Sequence, residues 1–343
     1  MDQSTEALIE ELQQYFVGRM FGLTYVYLTR PVFETFGMEG EKALRQGLRA
    51  FGRYRGQRMR AWHDEEELPI NLESTLLFWD VSSIETCGCA GPGMIVRPYH
   101  LEFPATTCPL HDVNAEENYE HWGYTYCDEI HQELWMAYEP SMVAEIHENL
   151  HKGDDVCWFR CRMEPGIPEE EIDKSAYDDL KQRITDNPLE YTQLYVTRDT
   201  KLNSILYYFL ADAIITRFED DGRRIVRTAL RELGHRRGRE LRQKLRAQDL
   251  DVTWENIWDH FDLAYRHVWE MEAIEQTADR FEAQVSYCPF AEVWNGLDNE
   301  EVGPLFCAEM YSGMFKAISP GAETEIPQAL SRGDPVCRFS FQL

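Results

Sequence analysis

The sequence predicts an α+β fold built twice: two homologous α+β units in tandem that form an intramolecular pseudo-dimer. Three observations carry this. The phrase "GDDVCWF" at 153–159 returns as "GDPVCRF" at 333–339. Sliding the chain along itself by 180 residues lays 108–163 on 288–343 without a gap, with 17 of the 56 positions identical, among them Cys108/Cys288, Cys127/Cys307 and Cys157/Cys337. Upstream, a shift of 182 lays "LRAFGRYRGQRMR" (48–60) on "LRELGHRRGRELR" (230–242), matching Gly52/Gly234, Arg55/Arg237 and Gly56/Gly238. Two copies of this length indicate a pseudo-dimer, not a solenoid of short repeats. The expected division is a first, active unit at 1–163, an acidic linker at 164–182 and a second, degenerate unit at 183–343.

Each unit opens with helices. Leu44, Leu48, Phe51, Met59 and Trp62 fall on one helical stripe, and Val226, Leu230, Leu233, Leu241 and Leu245 repeat it. "INLESTLLFWD" and "VTWENIWDHFD" read as second helices. A strand-like stretch then leads to each Cys-Pro, in "MIVRPYHLEFPATTCP" and "RFEAQVSYCP". After Gly123, "YTYCDEIHQELWMAY" is helical, and "SMVAEIHENLHKG" is expected to follow as another helix capped by Gly153. The final "VCWFRCRM" alternates, so Cys157, Phe159, Cys161 and Met163 share a strand face.

Composition narrows the function. A formal charge of -27 argues against a phosphate-binding surface, so no nucleic-acid partner is expected. No run of about 18 apolar residues suggests a membrane span. The acidic, amphipathic "MDQSTEALIEELQQYF" is unlike the cationic start of an export signal, so the expected location is cytoplasmic, with the nine cysteines reduced. The expected partner is a small-molecule substrate; self-association of the chain is left open.

Five candidate features follow. Arg55 and Arg237 interrupt the apolar stripes, and a buried guanidinium needs a partner: an internal carboxylate or a substrate carboxylate. Gly52 and Gly56 flank Arg55 and let another backbone or a ligand come close. Cys127 and His131 stand one helical turn apart, a nucleophile-plus-base spacing equally compatible with a thiol packed in a core. Cys108, Cys127, Cys157 and His111 would make a Cys3His set, but spacings of 19 and 30 residues lack the short pairs of structural zinc, and the close pair Cys87 and Cys89 stands outside the repeat. No metal and no cofactor is therefore assigned. Finally, His111, His121, His131, His147 and His151 are matched in the second unit by Ala291, Glu301, Tyr311, Pro327 and Ser331, which places the titratable chemistry in the first.

Cys-Pro, then Gly-Tyr-x-x-Cys, then Gly-Asp-x-x-Cys-x-Phe resembles the L-2-amino-thiazoline-4-carboxylic acid hydrolase family, here as two family units in tandem. The matching residues are Cys108-Pro109, Gly123-Tyr124, Cys127, and Gly153-Asp154 with Cys157. The second unit departs with Gly303-Pro304. There is a looser similarity to the 4-vinyl reductase type of small-molecule-binding domain. The resemblance implies a hydrolase opening a C–N bond of a small cyclic amidine or thiazoline-type carboxylate. In that scheme Arg55 holds the carboxylate, with Gly52, Gly56, Tyr124 and His111 lining the substrate. Cys127 or Cys108 attacks the amidine carbon, His131 shuttles protons, and Asp154 orients a partner or caps a turn. A lyase or cyclase, a metal-dependent enzyme of other ring chemistry, and a non-catalytic sensor are the alternatives.

Overall fold

The structure is a computed structural model that describes residues 3–14, 17–80, 93–263 and 265–343. Cys87 and Cys89 lie outside the described residues, as does the His121 side chain.

In chain order the first half comprises α1 (Gln3–Gln14), α2 (Val17–Glu65), α3 (Leu72–Leu77), β1 (Ile95–Arg97), β2 (His100–Ala105), α4 (Pro109–Glu116), α5 (Glu120–Tyr138), β3 (Val143–Glu148) and β4 (Cys157–Arg162). After α6 (Ser175–Asp186), the second half runs α7 (Pro188–Ala247), α8 (Trp254–Asp259), α9 (Tyr265–Val268), β5 (Glu270–Gln276), β6 (Arg280–Tyr287), α10 (Pro289–Asn295), α11 (Val302–Ile318), β7 (Glu323–Gln328) and β8 (Cys337–Gln342). The class is α+β, as expected. Each half holds a four-stranded sheet, ordered β1-β2-β4-β3 and β5-β6-β8-β7, with every strand pair antiparallel.

The apolar stripes are the reason for the long helices. Leu44, Leu48, Phe51 and Met59 of α2 are buried, as are Val226, Leu230, Leu233, Leu241 and Leu245 of α7. The two helices share one core in which Tyr25, Leu48 and Phe51 join Tyr207, Leu230 and Leu233. Phe36 stacks on Phe218 with ring centroids 3.7 Å apart and planes 3° from parallel. These two positions differ by 182, so the contact joins equivalent residues, as a two-fold interface does. On its other side α2 carries α5, and α7 carries α11. An added Cβ at Gly52 or Gly56 would overlap the Ile130 or Leu134 carbonyl oxygen, and one at Gly234 or Gly238 would overlap that of Met310 or Met314. The glycine pairs thus let backbone meet backbone.

Segment 141–153, expected to be helical, is instead the strand β3 followed by a 3-10 turn at Leu150–Lys152. Val143, Ala144, Glu145 and Ile146 pair with β4. Ladder pairing with a strand already in the sheet outweighs the helix preference of a Glu-rich segment. His147 and His151 therefore do not share a helix face. Gly153 does end its turn in the left-handed region at φ 92, as Gly333 does at φ 83. The stretch before Cys108 is two strands joined at Pro98-Tyr99, and Pro109 and Pro289 open α4 and α10, where a missing N–H costs nothing. Within 164–182 the chain begins α6, whose Leu180 is fully buried beside Leu68, Phe78 and Tyr191.

Both long helices are kinked, at Gly37 (φ 53, ψ -129) in α2 and at Glu219 (φ 48, ψ -120) in α7. These positions are also 182 apart. A side chain in this region costs on the order of 1–3 kcal/mol, and no other atom crowds Gly37, so backbone strain alone decides the outcome. Gly37→Ala should lower stability by about that amount, and Glu219→Gly should raise it by about 1 kcal/mol; scanning calorimetry of the two variants checks the pair of opposite shifts.

Candidate functional site

The interior of the first half lies between α5 and the face of β4 that presents Cys157, Phe159 and Cys161. The His131 ring packs on Phe159 with centroids 4.9 Å apart and sits 6.5 Å from Tyr126. Cys127, one turn earlier on α5, lies close enough to Cys108 and Cys157 that both disfavour its ionisation, as Cys108 does that of Cys157. Burial pushes the Cys127 thiol well above its ordinary range, Cys108 and Cys157 add to the shift, and the nearby Asn149 side chain opposes it. Cys108 is also raised by burial, against the pull of the His111 and Leu110 N–H groups at the start of α4. Cys157 is pushed up to about 11, again by burial. All three thiols are therefore protonated at neutral pH.

Beyond the thiols lies a buried polar cluster. Asn114, Asn149 and His151 are 0%, 3% and 6% exposed. Both side-chain atoms of Asn114, Nδ2 of Asn149 and both ring nitrogens of His151 lack hydrogen-bond partners among the described residues. His111 approaches the His151 ring at 5.3 Å. Gly123 faces this cluster, and an added Cβ would overlap His151 Nδ1 and Asn114 Nδ2. Because Gly123 is one helical turn before Cys127 and His131 one turn after it, the thiol stands between two imidazoles. Both are neutral: burial lowers His131 to about 4, helped by the Arg55 charge, and lowers His151 to about 4, helped by His111. Unpaired buried polar groups of this kind are normally satisfied by water or a ligand.

Arg55 sits at the other end of the same interior, 6% exposed. Its Nε donates to Asp80 Oδ2 at 2.6 Å and Nη2 to Asp80 Oδ1 at 2.8 Å, while Nη1 reaches the Tyr126 hydroxyl at 3.5 Å. Of the two partners the sequence left open, the internal carboxylate occupies the fork. Arg237 makes the same fork with Asp262 and turns Nη1 toward Met310 Sδ. Arg58, Arg198 and Lys201 line a small cavity with Arg55 and Asp80. Arg198 comes from α7, lies 4.1 Å over Trp62 and 4.0 Å over Phe78, and its Nε is buried without a partner.

The structure brings Cys108, Cys127, His131 and His111 to this interior, with Arg55 at its edge. It seats Gly52 and Gly56 against the α5 backbone, and Tyr124 between Arg45 and Lys152 at 6.0 and 5.7 Å. Asp154 Oδ2 accepts the Asn149 N–H at 2.7 Å, and Asp334 does the same for Ala329, so this aspartate ties the turn and holds Asn149 in place. Sequence reasoning missed Asp80, Asn114, Asn149 and Arg198. Asp80 was detectable, because it aligns with Asp262 at the same shift of 182 that aligns Arg55 with Arg237. Among the described residues, no three His, Cys, Asp or Glu are placed to hold a metal ion.

In the second half the thiols recur, with Cys288, Cys307 and Cys337 all raised by burial. Ala291, Trp294, Tyr311, Ala329 and Ser331 stand where His111, Asn114, His131, Asn149 and His151 do in the first.

Residues 200–341 match the family model described as L-2-amino-thiazoline-4-carboxylic acid hydrolase, and the match supports a hydrolase-like role. The matched segment is the second half, which lacks the imidazoles. No curated protein and no solved structure matches the chain. Among the described residues no helix is long and apolar enough to cross a membrane.

Two outcomes follow from these buried groups. Asp80→Ala leaves the Arg55 guanidinium buried and uncompensated, and should cost about 3–5 kcal/mol in urea unfolding. His63, whose ring bridges the Phe78 carbonyl at 2.8 Å and the Tyr138 hydroxyl at 2.7 Å, is likewise lowered by burial to about 4. The unfolded chain takes up protons on His63, His131 and His151 below pH 6.5, before the folded one does. Stability is therefore fully present above pH 6.5 and should fall between pH 6.5 and 4, by up to about 3 kcal/mol per histidine, as urea midpoints measured across that range will show.

Proposed function

We propose that the chain is a hydrolase opening a C–N bond of a small cyclic amidine or thiazoline-type carboxylate, and that the chemistry resides in the first half of a fused pseudo-dimer. Units at 1–163 and 183–343, joined through 164–182, are the natural division for that reading. The observation that carries it is the Cys127 thiol, with a neutral imidazole one helical turn to either side, beside buried polar atoms of Asn114, Asn149 and His151 that have no hydrogen-bond partner among the described residues. Because the thiolate is not populated at rest, the Cys127 proton leaves as Sγ bonds to the amidine carbon, and His131 accepts it. The same imidazolium returns the proton to the nitrogen as the C–N bond breaks, and water then releases the product from sulfur. Asn149 and His151 supply hydrogen bonds to the reacting centre. The substrate carboxylate meets the cations around Arg55, among which Arg58 and Arg198 contact no carboxylate among the described residues.

One observation favours a second reading, attack by water with an imidazole as base: burial holds Cys127 far from ionisation. Hydrolysis of 2-amino-thiazoline-4-carboxylate, followed by chromatographic loss of substrate, separates the readings. Cys127→Ala should lower kcat about 10²- to 10⁴-fold, while Cys307→Ala should change it little. A rate that survives Cys127→Ala but is lost in His131→Asn selects the water mechanism. A rate lost only in Cys307→Ala moves the chemistry to the second half and overturns the proposal.

A further inference from the structure

The second half encloses a cavity of about 70 Å³ between α8, α11 and the inner face of the β5–β8 sheet. One water needs roughly 10–15 Å³ by the same measure, so the space is several waters large. Trp254, Trp258, Phe281, Tyr311, Phe339 and Phe341 are among its walls, and no charged residue lines it. Its polar side-chain groups are the indole N–H of Trp254, Trp258 and Trp269 and the hydroxyl of Tyr311, and the Trp269 N–H donates to Cys288 Sγ at 3.1 Å. Trp254 is 2% exposed and its Nε1 has no hydrogen-bond partner among the described residues. The Tyr311 hydroxyl also makes no hydrogen bond among them.

This is the counterpart of the first-half interior, and the sequence has remodelled it in one direction. Trp254 stands for Leu72, Phe281 for Leu101, Tyr311 for His131 and Phe341 for Cys161. All four are aromatic, yet the space has not closed. A void against apolar walls forfeits dispersion contacts, and a buried indole N–H left unpaired loses its hydration with nothing in return. Water can satisfy the indole, but it recovers little of the dispersion lost along the aromatic walls. A flat ring with one acceptor relieves both, because its faces stack on the walls and its acceptor takes the indole or phenol proton.

We propose that the second half is a binding site for a planar aromatic or heteroaromatic molecule of a single ring bearing one hydrogen-bond acceptor. The site is distinct from the interior around Cys127 and needs none of its residues. The duplicated interior thus serves two ligand chemistries in one chain, a polar carboxylate in the first half and an apolar ring in the second.

Calorimetric titration of the full chain with acetophenone and with ethylbenzene tests this. The two share a ring and differ in the carbonyl acceptor. Acetophenone should bind saturably with one site per chain. The ratio of ketone to hydrocarbon affinity should fall about three- to tenfold in Trp254→Phe or Tyr311→Phe, each of which keeps the aromatic wall and removes one donor. Should Trp254→Phe lose its folded circular-dichroism signature, Tyr311→Phe carries the comparison. A fall in one variant identifies which donor holds the acceptor. No saturable binding of either compound, or an affinity ratio unchanged in every folded variant, overturns the proposal.

Discussion

The close approach of backbone to backbone at the glycine pairs is the constraint on which the rest is built. At Gly52 and Gly56 the long helix α2 touches carbonyls of α5, and at Gly234 and Gly238 α7 touches those of α11. With the shorter helix drawn in this far, the flank beside the contact turns toward the sheet, and the residues of that flank form the interior: Cys127 and His131 in one half, Cys307 and Tyr311 in the other. A methyl group at Gly56 would push α5 outward and shift every one of these side chains. The arginine between each glycine pair is fixed by the same geometry. Each guanidinium is buried there, and an aspartate closes its fork: the buried Asp80 on Arg55, and the more exposed Asp262 on Arg237.

Within that frame the two interiors differ by what their cavities ask for. Near Cys127 the unpaired groups are amides and imidazoles, which demand polar company. Near Tyr311 they are one indole and one phenol amid aromatic walls. The scaffold that holds them is nearly the same, down to the thiol trio, the fork between arginine and aspartate, and the aspartate that ties the Gly-Asp turn. A repeated scaffold with unrepeated contents places function in the differences.

Much of this was legible in the sequence because repetition supplies register. The α+β class, the long helices with their stripes, and the Gly153 and Gly333 turns could be read from spacing. So could the grouping of Cys108, Cys127 and His131. What could not be read depended on tertiary pairing. Segment 141–153 has a helix-favouring composition and becomes a strand only because β4 offers a ladder. Arg55 could have served a substrate, and only the folded chain shows Asp80, 25 residues away, on its fork. Asn114 and Asn149 gave no signal at all, since an isolated asparagine resembles any turn residue until folding buries it. Arg198 belongs to one half and packs on Trp62 of the other, a relation that no pattern internal to either half contains.

The stacked Phe36 and Phe218 show what it means for two such halves to share a chain. In a dimer of separate subunits, equivalent residues mutate together, so a change that suits one active site is imposed on both. Here each position exists as two independently variable residues, while the covalent link holds the partners at a fixed, high effective concentration. The interface therefore need not be strong enough to find its mate from solution. The lining of one interior can change without the other losing its support, and the histidines on one side and the aromatics on the other are such a difference.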